Sequence, residues 1–168
     1  MIERADLEAI TRQLGREPRD IVEVVHRCPC GEPDVVATAP RLSDGTPFPT
    51  VYYLTCPRAA SAVGRLEGAG VMREMEQRLD CDPRLRKSYA DAHADYLAAR
   101  DALGDVPEIE GVSAGGMPNR VKCLHVLLAH SLAAGPGVNP LGDETRALVG
   151  EWWAARSCAD APAEEGSP

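Results

Sequence analysis

Four thiols and one imidazole in this chain stand at spacings that could do chemistry. Cys28-Pro29-Cys30-Gly31 places two thiols one residue apart, and Thr55-Cys56-Pro57 adds a third at the end of an apolar run. Arg120-Val121-Lys122-Cys123-Leu124-His125 offers a further thiol and an imidazole. Zinc takes four tetrahedral ligands drawn from thiolate and imidazole, usually from short knuckles joined by distant elements. Cys28, Cys56, Cys123, His125 and Cys30 are therefore the candidate zinc ligands, although Cys-x-Cys is a less specific signal than Cys-x-x-Cys. A second chemistry is open to Cys56. It precedes Pro57 at a helix start, where unpaired N–H groups and the helix dipole stabilise a thiolate, and His26 or His125 could serve it as a base.

These residues can act together only if the chain brings them together. Ile21-Val22-Glu23-Val24-Val25, Asp34-Val35-Val36-Ala37-Thr38 and Thr50-Val51-Tyr52-Tyr53-Leu54-Thr55 read as three short β-branched or aromatic strands. Asp44-Gly45-Thr46-Pro47-Phe48-Pro49 is turn chemistry between the second and third. Joined as an antiparallel meander, the strands deliver Cys28, Cys30 and Cys56 to one end of the sheet. A first helix is expected from an Asp6 cap to Gly15, then helices over 59–67, 71–79 and 83–103, a loop over 104–117, and helices over 118–134 and 143–156. The fold class is thus α+β, a small three-stranded antiparallel sheet packed with about five or six helices. Residues 1–156 read as a single domain and 157–168 as a disordered acidic tail.

A helix running from Pro118 sets a constraint on the late pair. At about 100° per residue, Cys123 and His125 point some 200° apart and cannot both face one ion. His125 shares its side with Val121, Leu124, Leu128 and Leu132, an apolar core pattern, so Cys123 is expected to face the other thiols. The segment is apolar on nearly all sides, which marks it as central and buried. Cys81 and Cys158 have no ligand spacing and read as small buried hydrophobes. His93, beside Asp91 and Asp95, reads as part of a solvated face, and Trp152 and Trp153 as core and rim. Ser113-Ala114-Gly115-Gly116-Met117 could offer amides to an anion, but more often such a loop lets helices approach closely.

Composition narrows the class. The formal net charge is -8 and the only lysines are Lys87 and Lys122, which argues against a general nucleic-acid binder. Charges or Gly and Pro interrupt every apolar stretch, so no membrane span is expected. The start, Met1-Ile2-Glu3-Arg4-Ala5-Asp6, has neither a basic n-region nor an apolar h-region, so a cytoplasmic setting with reduced thiols is expected.

Arg27-Cys28-Pro29, the turn residues Pro40-Arg41-Leu42 and Asp44-Gly45-Thr46-Pro47-Phe48-Pro49-Thr50, Leu54-Thr55-Cys56-Pro57, Val121-Lys122-Cys123-Leu124-His125 and Gly137-Val138-Asn139-Pro140 carry a resemblance. Together they resemble the bacterial family catalogued as domain of unknown function 501, over nearly the whole chain up to about Asp143, and the chain is similar to its actinobacterial members. The resemblance implies residues equivalent to Cys28, Cys56, Cys123 and His125, with Cys30 less regular. It favours a site of Cys28, Cys56 and Cys123 completed by His125, Cys30 or a water, and it implies no activity. Three functions are consistent with these residues. One is a zinc-stabilised binding or regulatory module with a protein or small-molecule partner. Another is a metal- or cysteine-dependent hydrolase or transferase. The third is a metal-free assembly protein linked to cell division, after the genes that often neighbour the family.

Overall fold

All six residues of β2 (Pro33–Thr38) are buried, and the strand is the centre around which the rest is arranged. In the computed structural model, which describes residues 1–154 and 157–158, β1 (Ile21–Arg27) and β3 (Tyr52–Leu54) pair with it on either side. Both pairings are antiparallel, so the meander expected from the sequence forms, and β1 carries register irregularities along its length. The β1–β2 turn closes with Gly31 N–H donating to the Cys28 carbonyl at 2.8 Å, and Gly31 supplies the positive φ of 95° that this turn needs.

Six α-helices among the described residues complete the α+β fold: α1 (Arg4–Leu14), α2 (Pro57–Gly68), α3 (Val71–Cys81), α4 (Pro83–Asp101), α5 (Leu124–Ala134) and α6 (Pro140–Val149). A single 3-10 turn, Pro107–Ile109, lies in the loop before α5. As expected for a central helix, α5 buries Leu124, Leu127, Leu128, Ala129, His130, Ser131 and Leu132, and it packs on β3, α2 and α6. His130 ties three helices together. Its Nε2 meets Asp95 Oδ2 at 2.8 Å on α4, and its Nδ1 accepts from Asn139 Nδ2 at 3.2 Å, while Asn139 Oδ1 caps α6. Burial lowers the pKa of this histidine, so the ring is neutral with its proton on Nε2.

Several boundaries differ from the sequence reading, for identifiable reasons. Helix α1 starts at Arg4, and Asp6 lies within it, its carboxylate taken by a bidentate Arg27 at 2.7 and 2.8 Å. Helix α6 begins at Pro140 behind an Asn139 cap and ends before Gly150, so Trp152 and Trp153 follow the helix instead of riding on it. The late helix does not start at Pro118. Arg120 N–H donates to the Gly116 carbonyl and Lys122 N–H to the Gly115 carbonyl, each at 2.8 Å, folding 115–122 into a turn. Glu76 accepts from Val121 N–H at 3.0 Å and Glu67 from Leu124 N–H at 2.8 Å. Carboxylates from α2 and α3 thus take amides that a longer helix would have used, and Cys123 becomes the extended N-cap of α5.

Candidate metal centre

The Cys28 end of β1, the turn that follows and the start of α2 meet as the meander requires. What joins them is Cys158. Its sulfur lies 3.5 Å from that of Cys28, and Cys28, Cys30 and Cys158 place their sulfurs within 4.8 Å of one another. Cys56 begins α2 close by and Cys158 influences its ionisation, but the Cys56 sulfur is not among the three that lie within that distance. Cys28, Cys56 and Cys158 are buried, Cys30 is partly so, and all four are free thiols. A disulfide would bring two sulfurs to about 2.05 Å, whereas four thiolates around zinc at about 2.3 Å stand about 3.8 Å apart. The 3.5 Å separation is that of a thiol hydrogen bond, too long for a disulfide and close enough for the two sulfurs to share a metal ion.

The electrostatics are those of thiols competing for few protons. Burial pushes Cys28 up to about 11. Cys158 is raised as well, first by its hydrogen bond to Cys56 and then by burial. Cys56 is lowered, first by the hydrogen bond from Cys158, with the Ala59 and Arg58 amides assisting against burial. The Ala59 amide reaches the Cys56 sulfur at 3.5 Å, so the helix-start thiol expected from the sequence is the N-cap of α2. For Cys30 burial opposes ionisation, but the Cys158 and Glu32 amides and the neighbouring thiols outweigh it and lower its pKa. Amides aimed at sulfur stabilise thiolates, which is the form a soft cation binds.

The five residues singled out by spacing do not form one group among the described residues. Cys28 and Cys30 stand with Cys158, and Cys56 lies near Cys158 but outside that group. Cys123 and His125 stand elsewhere, with Glu67, their ligand atoms within 4.8 Å of one another. The rule that Cys123 and His125 face apart assumed both were in regular helix, and Cys123 is not. Nor does His125 face only core: its Nδ1 meets Glu67 Oε1 at 3.0 Å and its Nε2 meets the Ala60 carbonyl at 3.1 Å. His26, the other base considered for Cys56, is held by the buried Asp34 at 2.7 Å.

Cys158 had no linear signal, being a lone thiol after two tryptophans; only the path of the chain beyond α6 returns it to β1. It falls at the start of the segment read as a tail, whose residues 159–168 lie outside those described. Cys81 is exposed at the end of α3 and is no core residue. His93 is half-buried, with Nδ1 2.8 Å from Ser113 Oγ, and burial lowers its pKa; its face is not simply solvated.

No helix among the described residues is long and apolar enough to cross a membrane. No curated protein and no solved structure matches the chain. The family described as "Protein of unknown function (DUF501)" matches residues 24–147, well over half of the chain. That span holds Cys28, Cys30, Cys56, Glu67, Cys123 and His125 and stops short of Cys158. The chain therefore belongs to the DUF501 family.

Proposed function

We propose that this protein is a zinc-stabilised binding or regulatory module whose metal is held by Cys28, Cys30, Cys56 and Cys158. The observation that carries the reading is the arrival of Cys158 beside Cys28 and Cys30, its sulfur 3.5 Å from that of Cys28; Cys56, at the start of α2 near Cys158, is the fourth thiol of the proposal. Four thiolates and no water position are the ligand set of a structural site. The burial of Cys56 and Cys28 supports the same role, since a catalytic thiol is partly exposed. Cys123 and His125, which stand with Glu67, are left out of this ligand set.

The test is elemental analysis and a thermal melt of protein purified without chelator. About one zinc per chain is expected. Cys158→Ser and Cys56→Ser should each lose it and melt about 10 °C or more lower, because metal binding is coupled to folding. Full zinc and an unchanged melt in Cys158→Ser would sink the reading, and iron in place of zinc would overturn the metal's identity.

A further inference from the structure

The second group of ligating atoms comes from Glu67 on α2 and from Cys123 and His125 at the start of α5, and it is chemically unlike the first. One carboxylate, one thiol and one imidazole each bring a ligand atom within 4.8 Å of the other two. His125 is held most tightly. Its Nε2 stands 3.1 Å from the Ala60 carbonyl, which has no proton to give, so Nε2 carries the N–H and donates it. That fixes the tautomer. Nδ1 is left facing Glu67 Oε1 at 3.0 Å, where a neutral ring sets its lone pair against a carboxylate. The contact is satisfied by a proton on Nδ1 or by a metal ion between the two groups.

The spacing suits a metal. Nitrogen and oxygen at about 2.0–2.1 Å from a tetrahedral zinc stand about 3.4 Å apart, so the gap need open only by a few tenths of an ångström. The ligands are also fixed from behind, the imidazole by the Ala60 carbonyl and the Glu67 carboxylate by the Leu124 amide at 2.8 Å. One thiolate and one carboxylate cancel the charge of a divalent ion, which a cation partly removed from water needs. Cys123 and His125 line a cleft of about 470 Å³ with Thr50, Tyr52 and Pro57. The His125 and Glu67 side chains keep 34 % and 25 % exposure, whereas Cys28, Cys56 and Cys158 are buried.

We propose that Glu67, Cys123 and His125 Nδ1 form a second metal site, for one exchangeable divalent ion of the zinc class, with its fourth position open to water in the cleft. Three protein ligands and an open position set it apart from the four-thiol centre. Two features make it the weaker of the two. It lacks a fourth protein ligand, and the positive end of the α5 dipole lies beside the ion. The chain therefore keeps zinc through purification on the four thiols alone, and the second site fills when metal is supplied. Without the ion a proton takes its place on Nδ1, so loading releases protons.

The test titrates cobalt(II) into the full chain purified without chelator. Thiolate-to-cobalt charge transfer in the near ultraviolet reports a sulfur ligand, and the intensity of the d–d bands reports four-coordination. Cobalt does not displace zinc already bound, because zinc is the tighter ligand partner in the divalent series. Cys123→Ser should bind one cobalt fewer than the parent, with the zinc of the purified chain unchanged. Glu67→Gln and His125→Asn should each raise the cobalt concentration for half-saturation by about tenfold or more, with melts that stay cooperative. The proposal is overturned by a parent chain that takes up no cobalt, or by equal cobalt counts in the parent and Cys123→Ser. Half-saturation unmoved in both Glu67→Gln and His125→Asn also overturns it. The four-thiol centre shares no ligand with this site, so its own failure, zinc retained in Cys158→Ser, leaves the difference between the parent and Cys123→Ser intact.

Discussion

The imidazole of His125 sits between Glu67 and the Ala60 carbonyl, and both contacts favour a proton on the ring. The Cys123 sulfur first, and then Glu67, raise its pKa to about 9 against the pull of burial. A group whose folded pKa lies above its unfolded value stabilises the fold fully below the unfolded value, about 6.5, and loses that contribution as pH rises through the folded one. The melting deficit of His125→Asn relative to the parent should therefore be largest near pH 6 and shrink above about pH 9. A deficit that is flat with pH would show that the ring contributes packing and not charge. Asp6 runs the opposite way. The Arg27 guanidinium holds its carboxyl below the usual range, so the pair's contribution is present at neutral pH and fades as acid protonates Asp6.

At the scale of elements, α5 and α6 approach closely at Gly142. A Cβ added to Gly142 would lie 2.2 Å from the Leu127 carbonyl oxygen and 2.9 Å from Ser131 Cβ. In an open helix, Gly→Ala gains up to about 1 kcal/mol. Here the methyl meets backbone that cannot rotate away, so overpacking decides the sign, and Gly142→Ala should destabilise by about 1–3 kcal/mol in urea unfolding. A stabilised variant would mean that the two helices are less tightly fixed than this contact implies. The α5 N-terminus was misread from sequence for a related reason. Pro118 is a legitimate first helical residue, but Glu67 and Glu76 from helices distant in sequence take the amides of Leu124 and Val121. Asn139-Pro140 is a cap and first turn of ordinary local chemistry, and it starts α6 three residues before the 143 read from the sequence.

For the whole molecule, the four-thiol centre would link the β1–β2 turn, the α2 start and the segment after α6, three regions far apart in sequence. Ending the chain after residue 154 removes Cys158 without touching the sheet. The shortened protein is expected to bind no zinc and to melt lower by about as much as Cys158→Ser, whereas Cys81→Ser, a change at an exposed site, should keep both zinc and melt. Full zinc in the shortened chain would place the fourth ligand elsewhere.

The amino-acid sequence determined by itself what depends on local pattern. Its β-branched runs and short turns specify the meander, and the meander brings Cys28 and Cys30 to the end of the sheet where Cys56 begins α2. The nearly all-apolar character of 124–134 marks the central helix. Tertiary structure decided the rest, because the deciding contacts cross from one element to another. Glu67 and Glu76 make the α5 helix start late by taking the amides before it, and so bring Cys123 beside His125 where regular helix geometry would have parted them. Packing beyond α6 returns Cys158 to Cys28, and no spacing along the chain records that return.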